Sequence, residues 1–267
     1  SQNAGALVDS LQNERAYGVM IATTEKGTAD RDKAAKAYQA EHPRTDAAKV
    51  PYAQQKTALD DVPTKVNNLL VRLDRNLGEL PAVRSQVAND RVAVEDVKTT
   101  YGNMIGDLLN IRDASAQLAA DTTLSDRMRV AAAVAQAKEY IAQQRVVGLQ
   151  VVKEGTFTVP LRRLFDLTQT GYQLSNDQLR SVGTEQEQQL FDRTVAGAKL
   201  NQATNLTVQL SALQGSNVGD IPFNRDQWEA AMVGYDDLFR NVETQLDNQI
   251  VAQATDLRDT VQRRVFL

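Results

Sequence analysis

The chain has 267 residues, a formal net charge of −4, 14 glycines, 6 prolines and no cysteine. Alanine, glutamine, leucine and valine dominate, an all-helical composition in a chain long enough for one or two domains. Without cysteine there is no disulfide framework or thiolate chemistry, and a single histidine argues against a histidine-based metal site or a Ser-His-Asp triad.

Apolar residues recur at helical spacing from Ala4 onward, predicting a first helix that runs into the thirties, with a kink at Gly27-Thr28. His42-Pro43 and Val50-Pro51 read as punctuation of a connection, with His42 in a solvated loop. A second helix is expected over 52–80, restarted at Pro63 with Asp61 as cap, and carrying Leu59, Val62, Val66, Leu69, Leu70, Leu73 and Leu77 on its stripe. Pro81 suits the first turn of a third helix reaching residue 120, with Val83, Val87, Val94, Val97, Tyr101, Ile105, Leu108, Ile111 and Leu118 on its stripe. Asp121-Thr122-Thr123 breaks it. Thr123 or Ser125 then caps a fourth helix that extends to about residue 154. The stretch 155–160 reads as a loop, and 161–172 as a short helix. Ser175 caps a further helix over 177–213, and 214–223 is the longest turn-rich segment. Asn224 caps the last helix, whose stripe holds Trp228, Met232, Tyr235, Phe239, Val242, Leu246, Ile250 and Leu257. Up-and-down bundles with short connections suit such helices.

Two arginines sit where the core should be. Around Arg15 the seam reads Ala4, Val8, Leu11, Arg15, Gly18, Ala22; around Arg145 it reads Val134, Lys138, Ile141, Arg145, Gly148, Val152. Both keep glycine three residues after arginine, leaving room beside the guanidinium. The two strings lie about half a chain apart, and Tyr101 with Ile105 and Leu108 is echoed by Tyr235 with Phe239 and Val242. The fold expected is therefore all-α: two up-and-down four-helix bundles related by an internal repeat, over residues 1–121 and 122–267.

A buried charge needs a partner. For Arg15 and Arg145 the partner is either a small anion gripped by their planar forks, or a carboxylate such as Asp9, Glu139 or Asp107. Both readings stand open on the residues alone. No Gly-rich phosphate loop, nucleophile elbow or Glu-x-x-His pair occurs, so catalytic residues, metal and cofactor are all expected to be none. The negative net charge, with bases interspersed among acids, predicts no nucleic-acid partner. No run of about 18 apolar residues is present to span a membrane. The basic-to-apolar ending Arg263-Arg264-Val265-Phe266-Leu267 reads as a domain edge where a membrane helix begins.

At Leu11-Gln12-x-Glu14-Arg15 the sequence resembles the nitrate- and nitrite-sensing (NIT) domain family. Gln144-Arg145-x-x-Gly148-Leu149 with the following Gly155-Thr156-Phe157, and Leu190-Phe191-x-x-Thr194-Val195-Ala196-Gly197, are similar to that family's later half. The resemblance spans residues 6–257. It implies a non-enzymatic sensor of two four-helix bundles, with nitrate or nitrite as the small-anion ligand. Arg15 and Arg145 are the positions onto which the family's anion-binding arginines carry over. It further implies an extracytoplasmic domain of a cell-membrane receptor, such as a two-component histidine kinase, and a homodimer joined to the membrane by segments outside this chain. The alternative is a structural or protein-interaction helical bundle whose seam arginines are internally salt-bridged.

Overall fold

The computed structural model describes residues 2–57, 61–213 and 221–265, in which the chain forms ten α-helices and no strand. These are α1 (Gln2–Thr23), α2 (Ala29–Thr57), α3 (Thr64–Gly78), α4 (Leu80–Ala88), α5 (Val94–Leu118), α6 (Thr122–Glu154), α7 (Val159–Val182), α8 (Glu185–Thr194), α9 (Ala198–Ala212) and α10 (Arg225–Val265). The all-α class is as the composition predicts.

Several boundaries move. The first helix stops at Thr23, and Gly27 turns the chain at φ 78°, so the kink is a full break. Pro43 and Pro51 both lie inside α2 rather than ending it. Each removes a backbone donor, but α2 buries Ala34, Tyr38, Glu41, Thr45 and Tyr52 on one face, and packing along that face outweighs the local preference. His42 therefore belongs to a helix, not a loop. A turn with Asp90 at φ 54° separates α4 from α5, where one continuous helix is expected. Asp121, not Thr123 or Ser125, caps α6 by accepting from the Leu124 N–H. Helix α7 runs through Ser175 and ends at Gly183, after which Thr184 and Glu187 form a capping box for α8. Asn224 caps α10 as expected: its Oδ1 accepts from the Gln227 N–H at 2.8 Å, and the Gln227 side chain returns the bond at 2.9 Å. Most of the turn-rich stretch 214–223 lies outside the described residues.

Helices α1 and α6 form the centre. Helix α1 buries residues on every side, from Leu7 to Ile21, and α6 is buried almost continuously from Val130 to Val151. Helix α1 packs on α2, α5 and α6, while α6 packs on α7 and α10, and α5 also meets α6. One apolar cluster runs from Leu7 to Ile250, so the core is continuous across the middle of the chain. The two glycines of the seams serve helix packing rather than the arginines. A Cβ on Gly148 would lie 1.9 Å from the Trp228 ring, and one on Gly18 3.0 Å from Val97. Trp228 is fully buried in that seat, stacks on Phe223 and donates its indole N–H to the Arg145 carbonyl at 2.9 Å. Phe239 gathers Tyr172, Phe191 and Tyr235 edge-on, fastening α7 and α8 to α10. No helix of the described residues is long and apolar enough to cross a membrane.

Candidate anion site

The interface of α1, α6 and α10 is lined with charge. Arg15 on α1 grips Glu139 on α6 through both terminal nitrogens, at 2.5 and 3.1 Å. Arg145 on α6 grips Glu229 on α10 at 2.7 Å twice and donates to Asn13 Oδ1 at 2.8 Å. Its guanidinium also lies over the Tyr17 ring, 5.4 Å from the centroid. Both expected arginines are thus buried, and both are internally salt-bridged.

Between them runs a network that periodicity alone did not single out. Lys138, 1% exposed, donates to Gln12 at 2.6 Å and pairs with Asp9 at 2.7 Å. Its ammonium also stands 3.6 Å from Asp236 and 3.8 Å from Glu243. Gln12 turns its amide N–H to Glu139 at 3.4 Å, joining the Lys138 cluster to the Arg15 pair. At the far end Arg112 on α5 meets Glu243 at 3.5 Å and bonds Asp247. A continuous chain of contacts therefore leads from Arg15 to the buried face of α10.

Burial and charge set the protonation of this network. Burial alone would lower the Lys138 pKa, but Asp236, Asp9 and Glu243 around it hold it above the ordinary lysine range. Burial likewise opposes the Arg145 charge, and Glu229 outweighs it. Asp236 is pushed up to about 7 by burial, with Lys138 pulling the other way, and Glu243 is also raised by burial. Asp9 is held low: burial works against its charge, and contact with Lys138 prevails. Oδ1 of Asp236 and Oε1 of Glu243 are buried without a hydrogen-bond partner.

The two seam arginines share a helix pair but not a cavity. Arg15 lines a cavity of about 140 Å³ with Lys98, Gly102, Gln143, Val146 and Leu164, between α1, α5, α6 and α7. The Nε of Arg15 is buried and has no hydrogen-bond partner. On the opposite flank a cleft of about 330 Å³ is lined by Tyr17, Lys33, Arg225 and Glu229, the partner of Arg145. Among the described residues, no cluster of three or more His, Asp or Glu side chains is arranged to hold a metal ion.

A further buried carboxylate, part of the motif at Arg15, has partners that the sequence did not show. Glu14, fully buried beside Arg15, accepts from Arg84 at 2.9 and 2.8 Å and from the Tyr101 hydroxyl at 3.0 Å. Tyr38 joins at 2.6 Å from Tyr101, and the His42 Nε2 stands 3.7 Å from Glu14. Burial and the neighbouring Arg84 lower the His42 pKa, favouring its neutral form. Glu14 is two helical faces at once, a seam neighbour and a buried anchor. Arg84 lies 70 residues away, where no spacing rule reaches.

A comparison with curated protein sequences found no match. Among solved structures, the NasR transcription antiterminator has the same fold, with a TM-score of 0.78 at 20% identity, over 98% of this chain and 70% of that one. That likeness overturns the expectation of no nucleic-acid partner, since the protein of like fold is a transcription antiterminator. Net charge describes the surface of this domain alone, and does not exclude a role linked to nucleic acid. The family of nitrate- and nitrite-sensing domains (NIT) matches residues 6–251, and the chain belongs to it.

Proposed function

We propose that the chain senses nitrate or nitrite at the α1–α6 seam, with Arg15 and Arg145 as its anion-responsive residues and the seam lying between bundles of residues 1–121 and 122–267. One observation carries this reading: in a chain of this family, the Arg15 guanidinium is buried beside a small cavity and keeps an unpartnered Nε. A planar fork matches a planar oxyanion. An anion arriving there competes with Glu139 for the same donors.

Signalling then follows from differential affinity for two helix arrangements. Loosening Glu139 from Arg15 alters its hold on Gln12, which carries Lys138, which faces Asp236 and Glu243 on α10. Helix α10 continues as a largely exposed helix after Ile250, the last residue it buries. It is suited to pass a shift onward. We read the output as a histidine kinase or related membrane receptor, with this domain on the extracytoplasmic side. The likeness of fold to an antiterminator favours a second reading, a transcription-antitermination output. In either reading the domain itself is a sensor and not an enzyme.

The competing reading is a structural bundle, supported by the internal pairing of both forks. Calorimetry with nitrate, nitrite and chloride separates the two. Simple removal of Arg15 strands Glu139, at a cost of about 3–5 kcal/mol. The informative variant is therefore Arg15→Met with Glu139→Met, which replaces the whole pair. Saturable nitrate binding in the parent that vanishes in this folded variant supports the sensor. Absence of heat in the parent leaves the structural bundle.

A further inference from the structure

Lys98 differs from the other cations of the interface. Arg15, Lys138, Arg145 and Arg112 each pair with a carboxylate whose side chain is at most 15% exposed. The Lys98 side chain is itself only 16% exposed, yet among the described residues its one carboxylate partner, Glu95 at 3.1 Å, is 73% exposed on the same helix. An exposed pair at that spacing screens weakly. Its other contact is a neutral amide, Gln150 Oε1 at 3.1 Å. Positive charge at this position is therefore poorly compensated.

That charge lies on the Arg15 cavity. Arg15 lines it beside Lys98, Gln143 adds an amide, and Val146 and Leu164 make the wall apolar. At about 140 Å³, against the about 10–15 Å³ that one water needs in the same measure, the cavity has room for an anion of a few atoms. Gly102, one turn after Lys98, keeps it open: a Cβ there would meet nothing within 4 Å. Arg145 does not line it.

Building on the proposed anion-sensing role of Arg15, we infer that Lys98 is the second cation of the ligand site, which accepts a small monovalent oxyanion between the Lys98 ammonium and the Arg15 guanidinium. Arg15, Glu139 and Lys98 together carry one net positive charge. One negative charge balances it, and a doubly charged ion such as sulfate overfills it. Arg145 then acts as a positioning residue, holding α1 through Asn13.

The test is nitrate and sulfate calorimetry on the chain and on Lys98→Met, Gly102→Leu and Lys199→Met, with a melting curve for each. Glycine is the poorer helix former, so Gly102→Leu is expected to fold at least as well as the parent while filling the cavity. Lys199 is an exposed lysine that controls for net charge. Nitrate affinity is expected to fall at least tenfold in Lys98→Met and Gly102→Leu, to hold within twofold in Lys199→Met, and to exceed sulfate affinity in the parent. Parent-like nitrate binding in Lys98→Met overturns this inference and leaves the Arg15 reading standing. Sulfate binding as tight as nitrate overturns the charge argument. No nitrate binding by the parent overturns both.

Discussion

Replacing Glu139 with glutamine removes the charge that competes with an anion for Arg15. The carboxylate engages both terminal nitrogens, at 2.5 and 3.1 Å, in a pair 5% exposed on each side. Hydrogen bonds to a charged group contribute about 1.5–3 kcal/mol and neutral ones about 0.5–1.5 kcal/mol. Glu139→Gln therefore weakens the internal competitor by about 1–1.5 kcal/mol per bond, or about 2–3 kcal/mol over both, and nitrate should bind about thirty- to a hundred-and-fiftyfold more tightly. The same change leaves Arg15 without its counter-charge, destabilising the fold by on the order of 3 kcal/mol, or about 6–12 °C in melting midpoint. Nitrate should recover much of that loss by mass action. Calorimetry with parallel melting curves reads both effects. A folded Glu139→Gln protein that binds nitrate no better than the parent would refute the competition.

Other consequences follow from single contacts. Gly148→Ala places a Cβ 1.9 Å from the Trp228 ring and should destabilise the fold by at least the about 1–3 kcal/mol of core overpacking, seen as a lower midpoint. Tyr101→Phe removes the hydroxyl that bonds Glu14 at 3.0 Å and Tyr38 at 2.6 Å; it should cost about 1–3 kcal/mol while leaving nitrate affinity unchanged by calorimetry. Asp236, raised from 3.8 to about 7, contributes stability that is fully present below its unfolded pKa and lost as pH rises through 7. His42, lowered from 6.5, contributes in the opposite sense, its share being lost as pH falls below that value, so the check is a difference. Asp236→Asn should gain on the parent in midpoint between pH 5 and 8, and a constant gap between the two curves would contradict the assignment.

The helical class was legible because the stripes are regular. Val66, Leu70, Leu73 and Leu77 are buried as read, as are Trp228, Met232, Phe239, Val242, Leu246 and Ile250, whereas Leu69, Val83, Ile111 and Leu257 at the stripe edges are half-buried and Leu118 is exposed. Leu59 lies outside the described residues. What failed was local punctuation. Pro43 and Pro51 were read through the backbone restriction that each places on the residue before it, whereas long contact with α1 keeps α2 continuous. Burial of Arg15 and Arg145 was readable from position on a seam, and Glu139 stood among the carboxylates named for them; which arginine it meets, and the part of Glu229, were not. Glu139 is 124 residues from Arg15, and Glu229 is 84 from Arg145, distances over which helix periodicity carries no information. A signal for the α6–α10 network was nonetheless present. Glu229, Asp236 and Glu243 recur every seven residues beside an apolar stripe, and Lys138 and Arg145 keep the same interval on α6. Acids at heptad spacing on an otherwise buried helix need matching bases on an antiparallel neighbour, and the pairs Lys138–Asp236 and Arg145–Glu229 supply them. Lys98 carried no such mark, because its significance lies in a cavity assembled from four helices.

The central claim, an anion held by Arg15, is tested most directly at the Arg15 Nε–H itself. In a nitrate titration followed by nitrogen–proton NMR of the arginine side chains, that resonance should shift saturably, with the Arg84 resonance unmoved. An Arg15 Nε–H signal that stays in place while nitrate binds elsewhere, or through nitrate concentrations that saturate any measured heat, would contradict the account.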